Sequence, residues 1–202
     1  MSGNADTASM KDRLLESGAV LFAERGYGSV SIREICTHAR TSVGMVHHHF
    51  GNKKGLLDAI VASFSADVFT VPMVLLNKMA SSPEDFRSRI EMLFETTLDA
   101  YVEQELVLRV IVREQVPLPG LDEYMERLVR FLEDGKQKGF VREELDSSMV
   151  GGWMLDRIAN QIQFAPFIER TSGSTVLNDP HYKERWCASN LDLLFHGLVS
   201  RT

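Results

Sequence analysis

The sequence predicts an all-α protein of about nine helices: an N-terminal three-helix helix-turn-helix domain followed by a larger C-terminal helical bundle. Three observations predict it. Every periodic segment repeats its apolar residues at helical spacing. The breaks between them carry glycine, proline or short polar residues of the kind that cap and end helices. No stretch alternates apolar and polar residues as a half-buried strand does.

The elements follow in order. Met10, Leu14, Ala19 and Phe22 recur at helical spacing from about Ser9 to Arg25, and Gly26 is placed to end that helix in the left-handed conformation. A second helix starts at Ser31, where Ser31 and Glu34 spell the S-x-x-E capping box. Arg40, Thr41 and Ser42 make a turn. Ser42 then caps a short helix from Val43 to Phe50, which Gly51 and Asn52 end. Asn52 caps a fourth helix running from Lys53 to about Phe69, with Pro72 marking a break or kink. Further helices are expected from Pro83 to about Gln104, from Leu106 to about Val116, from Leu121 to Gly139, from Ser147 over some 22 residues to Ile168, and from Pro180 to Val199. Thr171–Asp179 reads as a loop. The expected domains are residues 1–52 and 53–202, with the fourth helix shared between them.

Composition excludes several classes. A chain of 202 residues with 44% apolar and 25% charged residues is ordinary for a globular fold with a sizeable core. No uncharged run of about 18 apolar residues predicts a membrane span, and the first residues carry no apolar signal core, so a cytoplasmic protein is expected. Cys36 and Cys187 are the only cysteines, too few for a disulfide framework or a zinc cluster. No Gly-rich phosphate loop, G-x-S-x-G elbow, H-E-x-x-H or C-x-x-C appears, and Glu-x-x-His pairs for a di-metal bundle are absent, so neither an enzyme, a metal site nor a cofactor is expected.

Charge is unevenly placed. The net charge is −6, yet residues 25–54 hold Arg25, Arg33, Arg40, Lys53 and Lys54 against Glu34 alone, a local +4 that leaves −10 for the rest. Such a patch suits a local anionic partner, or is simply a solvated surface. On the third helix, Val43, Val46 and Phe50 share one side, ready to meet Ile32, Ile35 and Phe22. Gly44 and His48, flanked by Met45 and His47, share the other. One side packs and the other is free to touch a duplex, which is the division a helix-turn-helix needs to enter a major groove. The run His47-His48-His49 is a poor metal tract, because neighbouring helix residues point about 100° apart.

Residues 10–60 resemble the DNA-binding region of the TetR family of bacterial transcriptional regulators. The resemblance lies in Val46-His47-His48-His49-Phe50, Lys53 and Leu56, with Ala19, Phe22, Gly26 and Tyr27 matching the family's first helix. It implies that Ser31 and Arg33 approach the DNA backbone. It also implies that Ser42, Val43, Gly44, Met45 and His47 are recognition-helix contacts, and that His49 and Lys53 hold phosphates, with His48 kept as a further contact. Arg40 stands where the family usually has a turn glycine, either in an unstrained variant of the turn or as an added backbone contact. His47 replaces a common tyrosine, which implies greater pH sensitivity. Val43 and Met45 favour thymine methyls over hydrogen-bonded base recognition.

The family further implies a homodimer on a pseudo-palindromic double-stranded operator, acting as a repressor released by an unidentified small-molecule effector. Met92, Tyr101, Arg109, Arg113, Trp153, Asp156, Asn160 and Phe164 are the candidate effector contacts, although aromatics and methionines at such spacing are usually core. Leu191, Leu194, Phe195 and Leu198 mark the candidate dimer face, or pack on their own domain. An all-helical enzyme and a DNA-binding protein without an effector are the alternatives.

Overall fold

The computed structural model describes residues 9–198, with side chains to residue 196. Within them lie ten helices and no strand: α1 (Met10–Arg25), α2 (Ile32–His38), α3 (Val43–Phe50), α4 (Lys53–Leu75), α5 (Pro83–Glu103), α6 (Glu105–Glu114), α7 (Leu121–Gln137), α8 (Ser147–Gln163), α9 (Ala165–Ser172) and α10 (Pro180–Leu198). The chain forms two compact units. One comprises the chain up to Ser65 together with Leu106–Pro119; the other comprises Ala66–Glu105 and the chain from Gly120 onward. The division falls inside α4, after Ser65, and Leu106–Pro119, with most of α6, groups with the N-terminal unit.

The first unit is built on Leu14, Phe22, Ile35, Val46 and Leu56, all fully covered, with Val30 beside them. Leu14 and Phe22 come from α1, Val30 from the loop after it, and Ile35, Val46 and Leu56 from α2, α3 and α4, so α1 to α4 close around one apolar centre. Burial of α4's first turns explains why this helix belongs partly to the head: Leu56, Leu57 and Ile60 face inward. α1 approaches α4 closely at Gly18, where an added Cβ would sit 2.9 Å from Ile60 Cδ1 and 3.2 Å from Leu56 Cδ2. By length and composition α4 would be long and apolar enough to cross a membrane, with mean hydropathy 1.5. Its Leu56, Leu57, Ile60, Val61 and Phe64 are instead buried in the fold.

The second unit packs α8 against α5 and α7, and α10 against α5. Its rings stack. Phe86 and Phe131 lie 5.1 Å apart and nearly parallel, Phe69 lies 5.1 Å from Tyr124, and Phe94 lies 5.8 Å from Trp186. Cys36 and Cys187 are both buried, and burial pushes both thiols up, Cys187 to about 11 with Glu95 and Asp99 adding to the effect. Both stay protonated and act as small apolar side chains.

Two helix boundaries differ from the sequence expectation. α4 runs through Pro72 to Leu75 instead of ending near Phe69. Pro72 removes one hydrogen bond donor, but Val68, Phe69 and Leu76 around it are buried, and the Leu76 N–H reaches the Pro72 carbonyl at 3.0 Å. Conversely, the long helix expected from Ser147 to Ile168 is broken at Phe164 (φ −92°, ψ 6°), and α9 begins at Ala165. Pro166, in the first turn of α9, cannot donate to the Ile162 carbonyl, so the chain ends one helix and restarts another. α9 extends to Ser172, into the expected loop.

Candidate nucleic-acid interface

α2 begins with the capping box its sequence announces. The Ser31 N–H and hydroxyl donate to the Glu34 carboxylate at 2.8 and 2.7 Å, and the Glu34 N–H returns to Ser31 Oγ at 3.3 Å. The other carboxylate oxygen pairs with Arg25 at 2.8 Å. Hydrogen bonds from the Ser31 hydroxyl and N–H, then from Arg25, hold the Glu34 carboxyl down at about 2. A depressed value contributes stability that is complete above the unfolded value near 4.5 and is lost as pH falls through about 2. Glu34→Gln should therefore flatten the fall in stability between about pH 4.5 and 2, read by urea melts at both ends. A variant that acid-denatures as wild type does would show that this carboxylate is not stabilising the head.

α2 ends in a Schellman turn: Thr41 N–H bonds to the Cys36 carbonyl at 2.8 Å and Arg40 N–H to the Thr37 carbonyl at 3.2 Å. The left-handed position of this turn is Arg40 itself, at φ 52°. The turn is thus the strained one that glycine suits, carrying an arginine at a cost of about 1 kcal/mol, and it is not an unstrained variant. The Arg40 side chain is exposed.

Ser42 occupies the N-cap of α3 in extended conformation (φ −96°, ψ 155°) but its side chain makes no capping bond, contrary to the sequence expectation. The Met45 N–H bonds instead to the Ser42 carbonyl at 3.0 Å. Along α3, Val46 is fully buried, Val43, Met45 and Phe50 are half-buried, and Gly44, His47, His48 and His49 are exposed. His48 and His49 meet edge to face at 4.9 Å. His47 Nδ1 lies 2.7 Å from the carbonyl of Gly51. His38, at the end of α2, reaches back to Ser17 of α1 at 2.9 Å, tying the two helices together. The exposed side of α3, with Arg33 and Arg40 also exposed and basic, is a surface that a polyanion's groove can meet.

Lys53 behaves differently from an exposed phosphate-seeking cation. Its ammonium donates to the carbonyls of Tyr27 and Val30 at 2.7 and 2.8 Å and sits 4.2 Å from the centre of the Tyr27 ring. Two of its three N–H donors are thereby used to fasten the α1–α2 loop. That loop has a second fastening, which sequence reasoning missed. The Tyr27 N–H donates to Glu114 of α6 at 3.0 Å, and Arg113 lies over Gly26, where an added Cβ would fall 2.9 Å from its guanidinium. Gly55 was also missed: an added Cβ there would lie 2.0 Å from the Phe50 carbonyl oxygen. Its signal is a glycine inside a helical first turn where no turn is needed.

The expected effector contacts are not brought to one place. Arg109 and Arg113 belong to the N-terminal unit, Met92, Tyr101, Trp153, Asp156, Asn160 and Phe164 to the other. Among the latter only Tyr101 is buried. Burial, then the charge of Asp156, raises its hydroxyl to about 12. Nearby Tyr124, hydrogen-bonded to Thr97, is also raised by burial. Trp153 is half-buried, and Met92, Asp156, Asn160 and Phe164 are exposed. A groove of ≈ 670 Å³ lies instead between α5 and α10, where Glu91, Glu95, Asp99, Glu184 and Asp192 outnumber Arg87 and Lys183.

Of the expected dimer face, Leu191, Leu194 and Phe195 are covered by their own unit at 8%, 6% and 5% exposure. The Leu198 side chain lies outside the described residues. The large apolar side chains left bare in this region are Leu193 of α10, Met149 of α8, Phe164 and Phe167. Among the described residues no cluster of three metal-ligating side chains occurs.

Residues 14–60 match the family described as bacterial regulatory proteins, tetR family. The HTH-type transcriptional repressor KstR2 of Rhodococcus jostii (strain RHA1) is 28% identical over 156 residues, which cover 72% of this chain and 74% of that one. The transposon Tn10 TetC protein of Escherichia coli is 27% identical over 150 residues, covering 73% and 71%. The solved structure of the ketosteroid transcriptional regulator KstR2 of Mycobacterium tuberculosis has the same fold, with a TM-score of 0.73 at 20% identity over 97% of this chain and 98% of that one.

Proposed function

We propose, because the chain belongs to the TetR family of bacterial regulatory proteins, that it is a homodimeric repressor released from its operator by a small molecule. The family's members regulate transcription by binding DNA and are not enzymes. The observation that carries the reading is the division of α3: Val46 fully buried, with Gly44, His47 and His48 exposed, and the basic Arg33 of α2 and Arg40 of the turn exposed as well. Ser42 adds an uncapped hydroxyl beside the free amides of the α3 N-terminus, a site suited to a phosphate. The predicted phosphate contacts His49 and Lys53 retain that role, Lys53 through its third N–H. Ser31 does so more weakly, since its hydroxyl already serves the cap. Two copies of α3 would enter successive major grooves about 34–36 Å apart. Such a protein works in the cytoplasm with the chromosome.

The test is equilibrium binding to the DNA flanking its own gene across a salt series. Specific, salt-steepened binding is expected. Arg33→Ala and Arg40→Ala should each flatten the slope of log K against log salt by about 1.8, since each charge counts twice in a dimer. Binding no tighter than to random DNA would sink the reading.

For the dimer, the bare Met149, Phe164, Phe167 and Leu193 serve better than the covered Leu191, Leu194 and Phe195. Phe164→Glu with Leu193→Glu is expected to give a monomer in sedimentation and to weaken operator binding on the order of 100-fold. For the effector, the buried hydroxyls of Tyr101, Tyr124 and Thr97 are polar points in an otherwise apolar interior, as effector sites require. A thermal-shift screen, starting with the ketosteroids named for the M. tuberculosis relative, reads binding to the folded state.

A further inference from the structure

The hydrogen bond between His47 and Gly51 fixes more than a ring orientation. A carbonyl oxygen only accepts, so the 2.7 Å contact requires the proton on Nδ1. A neutral imidazole has one N–H. The outward nitrogen, Nε2, is then a bare acceptor. We infer that His47 uses this acceptor to select, in the operator, a base whose major-groove edge offers an amino donor: adenine through N6 or cytosine through N4.

The chemistry of the groove makes that choice narrow. Phosphate oxygens, guanine N7 and O6, and thymine O4 all accept hydrogen bonds and offer nothing to an acceptor. Adenine N6 and cytosine N4 are the donors on that side. The ring is prepared for them before any DNA arrives. Gly51 closes α3 at φ 76°, a conformation that turns the chain back and that a side chain would resist, and its carbonyl meets the ring four residues earlier. Gly44, one helical turn before His47 on the same exposed side, has only the Ser42 hydroxyl within 4 Å of an added Cβ, at 3.7 Å, so the groove wall can come close. Among the described residues His47 alone of the three α3 histidines has its ring held by a backbone carbonyl.

Several charged groups stand on the elements around α3. On α2, Glu34 is turned to Arg25 and Ser31, Arg33 is a cation and His38 is turned to Ser17. Arg40 in the turn is a cation. On the first turn of α4, Lys53 is turned to Tyr27 and Val30, and Lys54 to Asp58. His48 and His49 flank the ring on α3 itself. No carboxylate among these pairs with it. A ring carrying both protons would instead present Nε2 as a donor and could not make this selection.

This inference rests on the DNA-binding reading above, and the experiment separates the two. Selection from a randomised operator library at pH 8 is run with wild type and with His47→Phe, which keeps a ring without nitrogen. The expected result is one position per half-site that is adenine or cytosine with wild type and unselected with His47→Phe. Replacing that base by its amino-free analogue, purine or 2-pyrimidinone, should weaken wild type on the order of tenfold and leave His47→Phe unchanged. Nitrogen-15 NMR of the free protein at pH 8 should show the proton on Nδ1 of His47. Guanine or thymine at that position, indifference to the amino-free base, or a proton on Nε2 overturns the inference while leaving the regulator standing. Failure to select any sequence overturns the DNA-binding reading and this inference with it.

Discussion

Replacing Gly55 by alanine is expected to disable the DNA-binding unit. The added Cβ would lie 2.0 Å from the carbonyl oxygen of Phe50 and 3.1 Å from its carbon. Real Cβ contacts stay beyond 3.0 Å, so the end of α3 and the first turn of α4 must separate by about 1 Å. Neither can retreat freely. Leu56 and Leu57 follow Gly55 into the core at 0% and 3% exposure, and the Gly55 N–H is held by Asn52 Oδ1 at 2.9 Å. Overpacking of this kind costs about 3 kcal/mol. Phe50 is the last residue of α3, the helix proposed to meet DNA, so specific affinity should fall with stability. Thermal melting and operator binding measured together check this; a variant with unchanged Tm and affinity would show that the two helix ends yield without consequence.

Lys53→Met is expected to unfold the same unit more readily, by about 3 kcal/mol. Methionine keeps the apolar stem and loses the ammonium. The carbonyls of Tyr27 and Val30 then lose their charged donor, at about 1.5–3 kcal/mol, and the Tyr27 ring loses its cation, at about 0.5–1 kcal/mol. A lysine acting on phosphate alone would leave Tm untouched and change only the salt dependence of binding. Chemical denaturation without DNA therefore distinguishes the two roles, and an unshifted midpoint would refute the structural one. Lys53→Arg should recover part of the loss, because a planar guanidinium matches two carbonyls less well than a rotating ammonium.

What was legible in the sequence was whatever is decided within a few residues. The S-x-x-E box at Ser31 and Glu34 forms as its spacing says, and α3 spans Val43–Phe50 as expected. The inward position of Val46 follows from helical geometry alone. Asn52 caps α4 through its side chain, again a contact three residues long. Partners distant in sequence were not legible. Lys53 looks like a surface cation until the loop carbonyls 26 and 23 residues earlier are placed beside it. α10 repeats its leucines on a face that could as well meet a second chain; only the fold shows that Leu191 is buried, that Arg87 of α5 lies over the Phe195 ring, and that Leu193 is exposed. Pro72 is read as a break or kink and the expected helix runs through Pro166, yet Pro72 lies within a helix and Pro166 follows a break, because buried neighbours decide what a missing donor does.

The hydrogen bond from Tyr27 to Glu114 joins residues 87 apart in sequence. Its consequence concerns synthesis. A ribosome adding about 5–20 residues per second makes Glu114 roughly 4–17 s after Tyr27. During that interval the helices up to Ser65 can emerge and collapse, but the loop between the first two keeps an unpaired amide, and Leu108, Val110 and Ile111 are still missing from the interior they complete. A nascent chain stalled before residue 106 should accordingly carry a loosened head that proteases cut. The N-terminal unit is completed only after Ala66–Glu105 of the second unit has been translated.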